Sequence, residues 1–273
     1  MQEIKMTEAR KKKISKLTTE LTRLTSSGDV TQLDQLASAE EVSIYYDDYE
    51  GAFDGMLLFD NRDFHIHINY AKGNHPNSKR GRFTLAHELG HYFIDEHRVG
   101  LKSGSLKPHG SVTGLATKDL IELEADYFAS SLLMPEEKFK ARASGKRFSL
   151  DTIIDLSDSF QSSIVSSVIR FSEVGTHEIT AVFSRNNKVE WYARSSDFPQ
   201  WPFRFKVHGD LPPTTVAGEF YSKKANKLTG IEKLSADDWF FPFKDDSRAD
   251  RQMLEQCYYS ESYDYVISLI WFP

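Results

Sequence analysis

A single cysteine, Cys257, stands among the 273 residues. No intrachain disulfide can form, none of the cysteine-based zinc patterns can be built, and a reducing, cytoplasmic setting is expected. Runs of about 18 apolar residues are missing, so no membrane span is expected. An excess of positive charge is missing too: 34 Lys and Arg stand against 40 Asp and Glu, a net charge of −6. Without a basic field, direct nucleic-acid binding is not expected. The basic run Arg10-Lys11-Lys12-Lys13 leads into alternating polar and apolar residues instead of an apolar block, so it does not read as a signal peptide. What remains, 40% hydrophobic and 27% charged residues, is ordinary globular composition with enough apolar side chains for a sizeable core.

The stretch that concentrates chemistry is Thr84-Leu85-Ala86-His87-Glu88-Leu89-Gly90-His91-Tyr92-Phe93. On a helix, positions i and i+4 lie one turn apart on the same face, so His87 and His91 can aim their imidazoles at one point, with Glu88 beside them. This is the H-E-x-x-H arrangement of zinc hydrolases: two neutral imidazoles hold the metal and the glutamate acts as general base on the water it activates. The neighbours Phe83, Leu85, Ala86, Leu89, Tyr92, Phe93 and Ile94 make the helix apolar around most of its circumference, the mark of a buried helix. Buried histidines and a buried carboxylate need partners, and a metal would supply them. Gly90, costly in a helix, points to close approach of another segment.

Before this helix, Ile4 to Leu24 reads as an amphipathic helix whose basic cluster is its solvated face, followed by a short helix through Leu33 and Leu36. Val42–Tyr46, Met56–Phe59 and Phe64–Tyr70 have strand composition. In the last, His65 and His67 share one face, expected to be solvated or to line substrate. A small sheet beside such a helix can form the wall of a cleft where a peptide adds as an extra strand. After it, residues 100–118 have the Gly, Ser, Lys and Thr content of a surface loop that could act as a lid. Asp119 to Met134 is helical again, stopped by Pro135.

A catalytic zinc takes three protein ligands. His97 has the spacing of the third histidine of the long metzincin motif, but that motif needs a glycine where Ile94 stands, and Ile94 is expected to continue the helix. Glu122 is the better candidate, because Asp126, one turn on, can receive the N–H of a ligating histidine. Glu124 competes but faces the Leu120, Tyr127 and Phe128 side. His97, Tyr92 and the residues of the long loop are the candidates for an oxyanion stabiliser or cleft group.

Together, Arg82-Phe83-Thr84-Leu85-Ala86-His87-Glu88-Leu89-Gly90-His91 and the later Glu122-Leu123-Glu124-Ala125-Asp126-Tyr127-Phe128-Ala129 through Met134-Pro135 resemble the ImmA/IrrE family of bacterial and phage metallopeptidases. The resemblance covers about residues 80–135, with Asp126 in place of the usual asparagine. It implies His87, His91 and Glu122 as zinc ligands, other divalent metals being possible occupants, and Glu88 as catalytic base. It also implies a helix-turn-helix repressor as protein substrate, cut to switch on phage, mobile-element or stress genes. The expected fold class is α+β: a zincin-like core of helices on a small sheet over residues 1–147, a helix-turn-helix-like segment over 148–174 and a β-rich domain over 175–273 that senses a signal or holds the substrate. In the middle segment Arg170 is the only cation between Leu150 and Phe171, so packing is expected there rather than DNA reading. A hairpin is expected around Asn186-Asn187, and Tyr265–Trp271 as a buried strand. The alternative is a sensor or binding protein in which the zinc is structural and a partner regulator is recognised but not cut.

Overall fold

The structure, a computed structural model, describes residues 6–112, 119–223, 227–260 and 264–273. It is a mixed α+β chain in two compact units, Met1–Phe139 with Leu156–Ser166 and Lys140–Asp155 with Ser167–Pro273. The segment 148–174, read from the sequence as a helix-turn-helix-like linker, is divided between the units. Among the described residues, no helix is long and apolar enough to cross a membrane.

The first unit opens with α1 (Glu8–Thr25), whose N-cap Thr7 accepts from the Arg10 amide, then the two-residue strands β1 (Ser26–Ser27) and β2 (Val30–Thr31) and α2 (Leu33–Ala39). A three-stranded sheet follows, from β3 (Ser43–Asp47), β4 (Gly55–Phe59) and β5 (Phe64–Asn69), in the order β3-β5-β4. β3 runs parallel and β4 antiparallel to β5. The period-two pattern of β5 works as expected: Phe64, Ile66 and Ile68 are buried, while His65 and His67 are partly exposed on the opposite face. His67 stacks on Tyr45 and receives the Tyr49 hydroxyl at 2.7 Å, which makes that face an aromatic surface.

Four helices then carry the chemistry: α3 (Lys79–Phe93), α4 (Asp95–Ser103), α5 (Leu120–Leu133) and the start of α6 (Glu136–Ala143). Ser78 caps α3 by accepting from the Gly81 amide. From Gly81 to Tyr92 only Phe83 is not fully buried, as the all-round apolar sequence predicts. α3 packs against α5 on one side and β4 and β5 on the other. Gly90 sits at the α3–α5 contact, where a Cβ would lie 3.1 Å from the Phe128 ring and 3.2 Å from the Ala125 Cα. The glycine is thus required by the approach of α5.

Three expectations fail here for physical reasons. Ile94 does not continue the helix; its extended backbone (φ −77°, ψ 108°) ends α3 and starts α4, turning the chain back without a glycine. The basic cluster of α1 is not wholly solvated either, because Arg10 turns inward to Glu124 and Glu96. The expected loop at 100–118 is helical at its start, since α4 runs to Ser103 and stops at Gly104 in the left-handed region (φ 72°). Its part at 113–118 lies outside the described residues, as do residues 1–5 of the expected first helix.

In the second unit, β6 (Ile179–Arg185) and β7 (Lys188–Arg194) form the expected hairpin, with Asn186 and Asn187 both at positive φ (50° and 62°). With β8 (Glu232–Leu234), β9 (Met253–Ser260) and β10 (Tyr265–Trp271) they build an antiparallel sheet in the order β7-β6-β10-β9-β8. The closing run is its central strand, buried from Val266 to Trp271. Trp201, Trp239, Phe198 and Phe240 fill the core beside it, so most of the aromatic surplus is packing, with Phe241 and Phe243 left exposed. Cys257 is buried in β9. The helices α7 (Leu150–Ser159) and α8 (Ile164–Val174) bury Leu150, Ile153, Leu156, Val168 and Phe171. Arg170 is also buried, 3.3 Å from Glu173, and offers no free guanidinium to a phosphate.

Candidate metal centre

α3 and α5 lie side by side, and their facing turns bring three ligand-type groups together. His87 Nε2 is 3.2 Å from His91 Nε2 and 3.3 Å from Glu122 Oε2, while His91 Nε2 is 3.2 Å from Glu122 Oε1. All three donor atoms lie within 4.8 Å of one another, and this group could hold a metal ion. Two imidazole nitrogens and one carboxylate oxygen form the donor set that zinc favours.

The surroundings fit an ion. Glu88, the neighbour of the first histidine, is buried, and among the described residues neither of its oxygens has a partner in hydrogen-bond geometry. Such a carboxylate is costly unless something polar is brought to it. Burial pushes its pKa up to about 7, against the pull of the His87 charge and the Ser111 hydroxyl. Gly55 of β4 allows this arrangement: a Cβ there would stand 2.7 Å from Glu88 Oε1. Burial lifts the Glu122 carboxyl, but hydrogen bonds from His109, His87 and His91 outweigh it and hold the group far below the usual carboxylate range.

Asp126 lies where its spacing predicts. Its Oδ1 is 2.9 Å from His87 Nδ1, so the ring nitrogen turned away from Glu122 is held by a carboxylate. Burial opposes protonation of His87, but Asp126 and Glu122 together draw its pKa well above the ordinary histidine value. Burial lowers the pKa of His91.

His97 and Tyr92, two of the candidates for an oxyanion or cleft group, are both engaged by other side chains. The turn at Ile94 brings His97 to His91, but to its Nδ1 (3.2 Å), on the side away from the three donors. His97 Nε2 is 3.0 Å from Glu124 Oε2, and burial lowers its pKa to about 4. The Tyr92 hydroxyl is taken by Glu40 at 3.0 Å and its ring packs edge-on against Phe64. Glu124 does not compete for the metal position, being held by His97 and by Arg10.

One group escaped the sequence reading. His109 Nε2 lies 2.6 Å from Glu122 Oε1, and that hydrogen bond, against the effect of burial, raises its pKa to about 9. The signal available was general, a histidine inside the segment expected to act as a lid. Two residues on, Ser111 accepts from the Asp54 amide and donates to the Gly55 carbonyl, both at 2.8 Å. The edge of β4 beside Glu88 is thus already paired at Gly55 by the chain itself.

Comparison with known proteins agrees with the site. Residues 59–172, which contain α3 and α5, match the model of the M78 peptidase family, described as an IrrE N-terminal-like domain. Among solved structures, a transcriptional regulator of Mycobacterium tuberculosis is similar in fold, with a TM-score of 0.62 and 13% identity over 97% of this chain and 77% of that one. No curated protein matches in sequence. With the two signature helices placed around one donor set and the domain match spanning both, residues 59–172 are similar to the IrrE N-terminal-like domain of the M78 peptidases.

Proposed function

We propose that the chain is a zinc-dependent endopeptidase. The observation that carries this reading is the convergence of His87, His91 and Glu122 within 4.8 Å, beside a buried Glu88 carboxylate with no partner in hydrogen-bond geometry among the described residues. When bound, a divalent ion would supply Lewis acidity, making a water nucleophilic at neutral pH and polarising the scissile carbonyl. The chain's own residues do the rest. Glu88 takes the proton of the attacking water and passes it to the leaving amine, work suited to a carboxyl shifted upward by burial. His87 and His91 present Nε2, with their Nδ1 atoms fixed by Asp126 and His97. His109 is the group we assign to the developing oxyanion, to which it would donate its Nε2–H by giving up Glu122 Oε1, its Nδ1 staying on the Lys107 carbonyl. The substrate we propose is a helix-turn-helix repressor, consistent with the similarity to that domain, and the setting cytoplasmic, consistent with the one buried cysteine. Co-expression with the nearest-encoded regulator of that type tests this: wild type cuts it and Glu88→Gln leaves it intact. An intact regulator in both cases rejects the repressor as substrate.

A second reading is a zinc-containing sensor that binds a partner without cutting it. His109, which hydrogen-bonds Glu122 but is not one of the three converging groups, would have to move onto the ion as a fourth protein ligand, the mark of a structural zinc. Counting the ligands of the loaded protein separates the two.

A further inference from the structure

The two histidines of the centre are oriented by different means. His87 Nδ1 meets a carboxylate directly, the usual arrangement for a metal-binding histidine. His91 Nδ1 meets another histidine, and behind that histidine stand a carboxylate and a guanidinium contributed by two further helices. We infer that His97 is a positioning residue, and that the chain Arg10–Glu124–His97 sets the tautomer and orientation of His91 at the metal centre. This rests on the reading of His87, His91 and Glu122 as metal ligands.

The inference follows from donor and acceptor chemistry read inward from the far end. Arg10 can only donate, and it gives Nε to Glu124 Oε1 at 2.8 Å and Nη2 to Oε2 at 2.5 Å. Glu124, paired in this two-pronged way, is an acceptor, so His97 Nε2, 3.0 Å from Oε2, must carry the proton. A neutral imidazole with its proton on Nε2 has a lone pair on Nδ1. The contact at 3.2 Å between His97 Nδ1 and His91 Nδ1 then requires the His91 proton to sit on Nδ1. His91 Nε2 is left with a free lone pair, and it faces His87 and Glu122. With both rings neutral each step leaves one choice, so a guanidinium on α1 decides which nitrogen of a histidine on α3 is free for a metal.

The placement of these groups is consistent with such a role. His97 is 3% exposed and Glu124 7%, so neither is there for solubility. Arg10 is steadied by Glu96 at 2.9 Å, which Lys13 also approaches at 2.8 Å. The turn at Ile94 exists to deliver His97: without it α3 would run on and place residue 97 elsewhere on its own surface. The first helix of the chain, far in sequence from the signature motif, thereby becomes part of the metal centre.

The test measures zinc affinity by competition with a chromophoric chelator, and the visible absorption of the cobalt-loaded protein, for wild type, His97→Leu, His97→Gln and Arg10→Met. Circular dichroism of the metal-free proteins checks folding. His97→Leu should weaken zinc binding roughly 10- to 100-fold and shift the cobalt bands. His97→Gln, whose amide oxygen can accept from His91 while its NH₂ donates to Glu124, should recover most of the loss. Arg10→Met should lose affinity in the same direction by less. Should His97→Leu fail to fold, the glutamine and Arg10 variants carry the comparison: a folded Arg10→Met protein with wild-type affinity and an unchanged spectrum overturns the relay. So does a folded His97→Leu protein that binds zinc as wild type does. If wild type itself takes up no metal, the relay and the metallopeptidase reading fall together, whereas wild-type uptake indifferent to these substitutions removes the relay alone.

Discussion

Replacing Gly90 by alanine sets two effects of known size against each other. In an unconstrained helix the change is favourable by about 1 kcal/mol, because glycine loses more backbone freedom than alanine. At Gly90 the new methyl would lie 3.1 Å from Phe128 Cδ1, 3.2 Å from Ala125 Cα and 3.3 Å from the Ala125 carbonyl oxygen. The Phe128 ring is fully buried, and two of the three contacts are backbone of α5, so none of the three neighbours is the end of a flexible side chain. Overpacking of this kind costs about 1–3 kcal/mol. Subtracting the propensity gain leaves a net loss of about 0–2 kcal/mol. At roughly 2–4 °C per kcal/mol for a unit of this size, melting should fall by up to about 8 °C. The contact is also functional in consequence, because α5 carries Glu122 and Asp126 on either side of Ala125. Relief by moving α5 outward separates Glu122 from the imidazoles, so zinc affinity should fall together with stability. Thermal unfolding of the metal-free protein and chelator competition measure the two effects. A Gly90→Ala protein that melts higher by the helix-propensity increment, with unchanged zinc affinity, would show that α3 and α5 are not in the contact described.

Further outcomes follow from the same geometry. Glu88→Gln should retain zinc while cleavage falls by a factor on the order of 10² to 10⁴, the usual contribution of a positioned base; normal turnover would remove Glu88 from that role. Asp126→Asn should weaken zinc binding roughly 10- to 100-fold by unfixing His87, as measured by chelator competition. Replacing His109 by alanine should lower kcat on the order of 10²-fold and, by removing the hydrogen bond to Glu122, weaken zinc binding by no more than the roughly 10- to 100-fold usual for a partner of a ligand; a loss of metal well beyond that would make His109 a ligand and favour the sensor reading. At acid pH, the Glu96 carboxyl is held down to about 2 by hydrogen bonds from Arg10 and Lys13. Its folded pKa is depressed, so its contribution is complete above the ordinary value near 4.5 and is lost as pH falls toward 2. Because the side chain is half exposed, the contribution should stay below about 1 kcal/mol, seen as a shallower acid-side decline in the stability of Glu96→Gln.

The sequence shows the parts of the centre that depend on helical spacing and leaves out those that depend on where the chain turns. His87, His91 and Glu88 follow from a single period, and Asp126 follows from Glu122 by one turn of α5; the structure puts these groups within reach of each other. Gly90 was readable because a glycine in a helix interior needs a reason, and α5 supplies it. His97 was misplaced because Ile94, a residue that helices accept, adopts an extended backbone there, and nothing local announces that break. Arg10 looked like one of several surface cations, since the buried Glu124 that draws it in is 114 positions away. His109 belongs to a segment without periodicity, whose path is set by the pairing of Ser111 with Gly55. In the second unit the hairpin and the closing strand were readable from Asn186-Asn187 and from the apolar run, whereas strand order rests on long-range pairing that a single sequence does not display.

The central claim is that two imidazoles and one carboxylate from separate helices hold a single ion with a position left for solvent. Diffraction from crystals of the zinc-loaded protein, with data collected across the zinc absorption edge, tests it most directly. The account predicts one ion bound by His87 Nε2 and His91 Nε2 at about 2.0–2.1 Å, by one oxygen of Glu122, and by a water near Glu88. An ion held by four side chains, or a structure in which Glu122 points away from both rings, would contradict it.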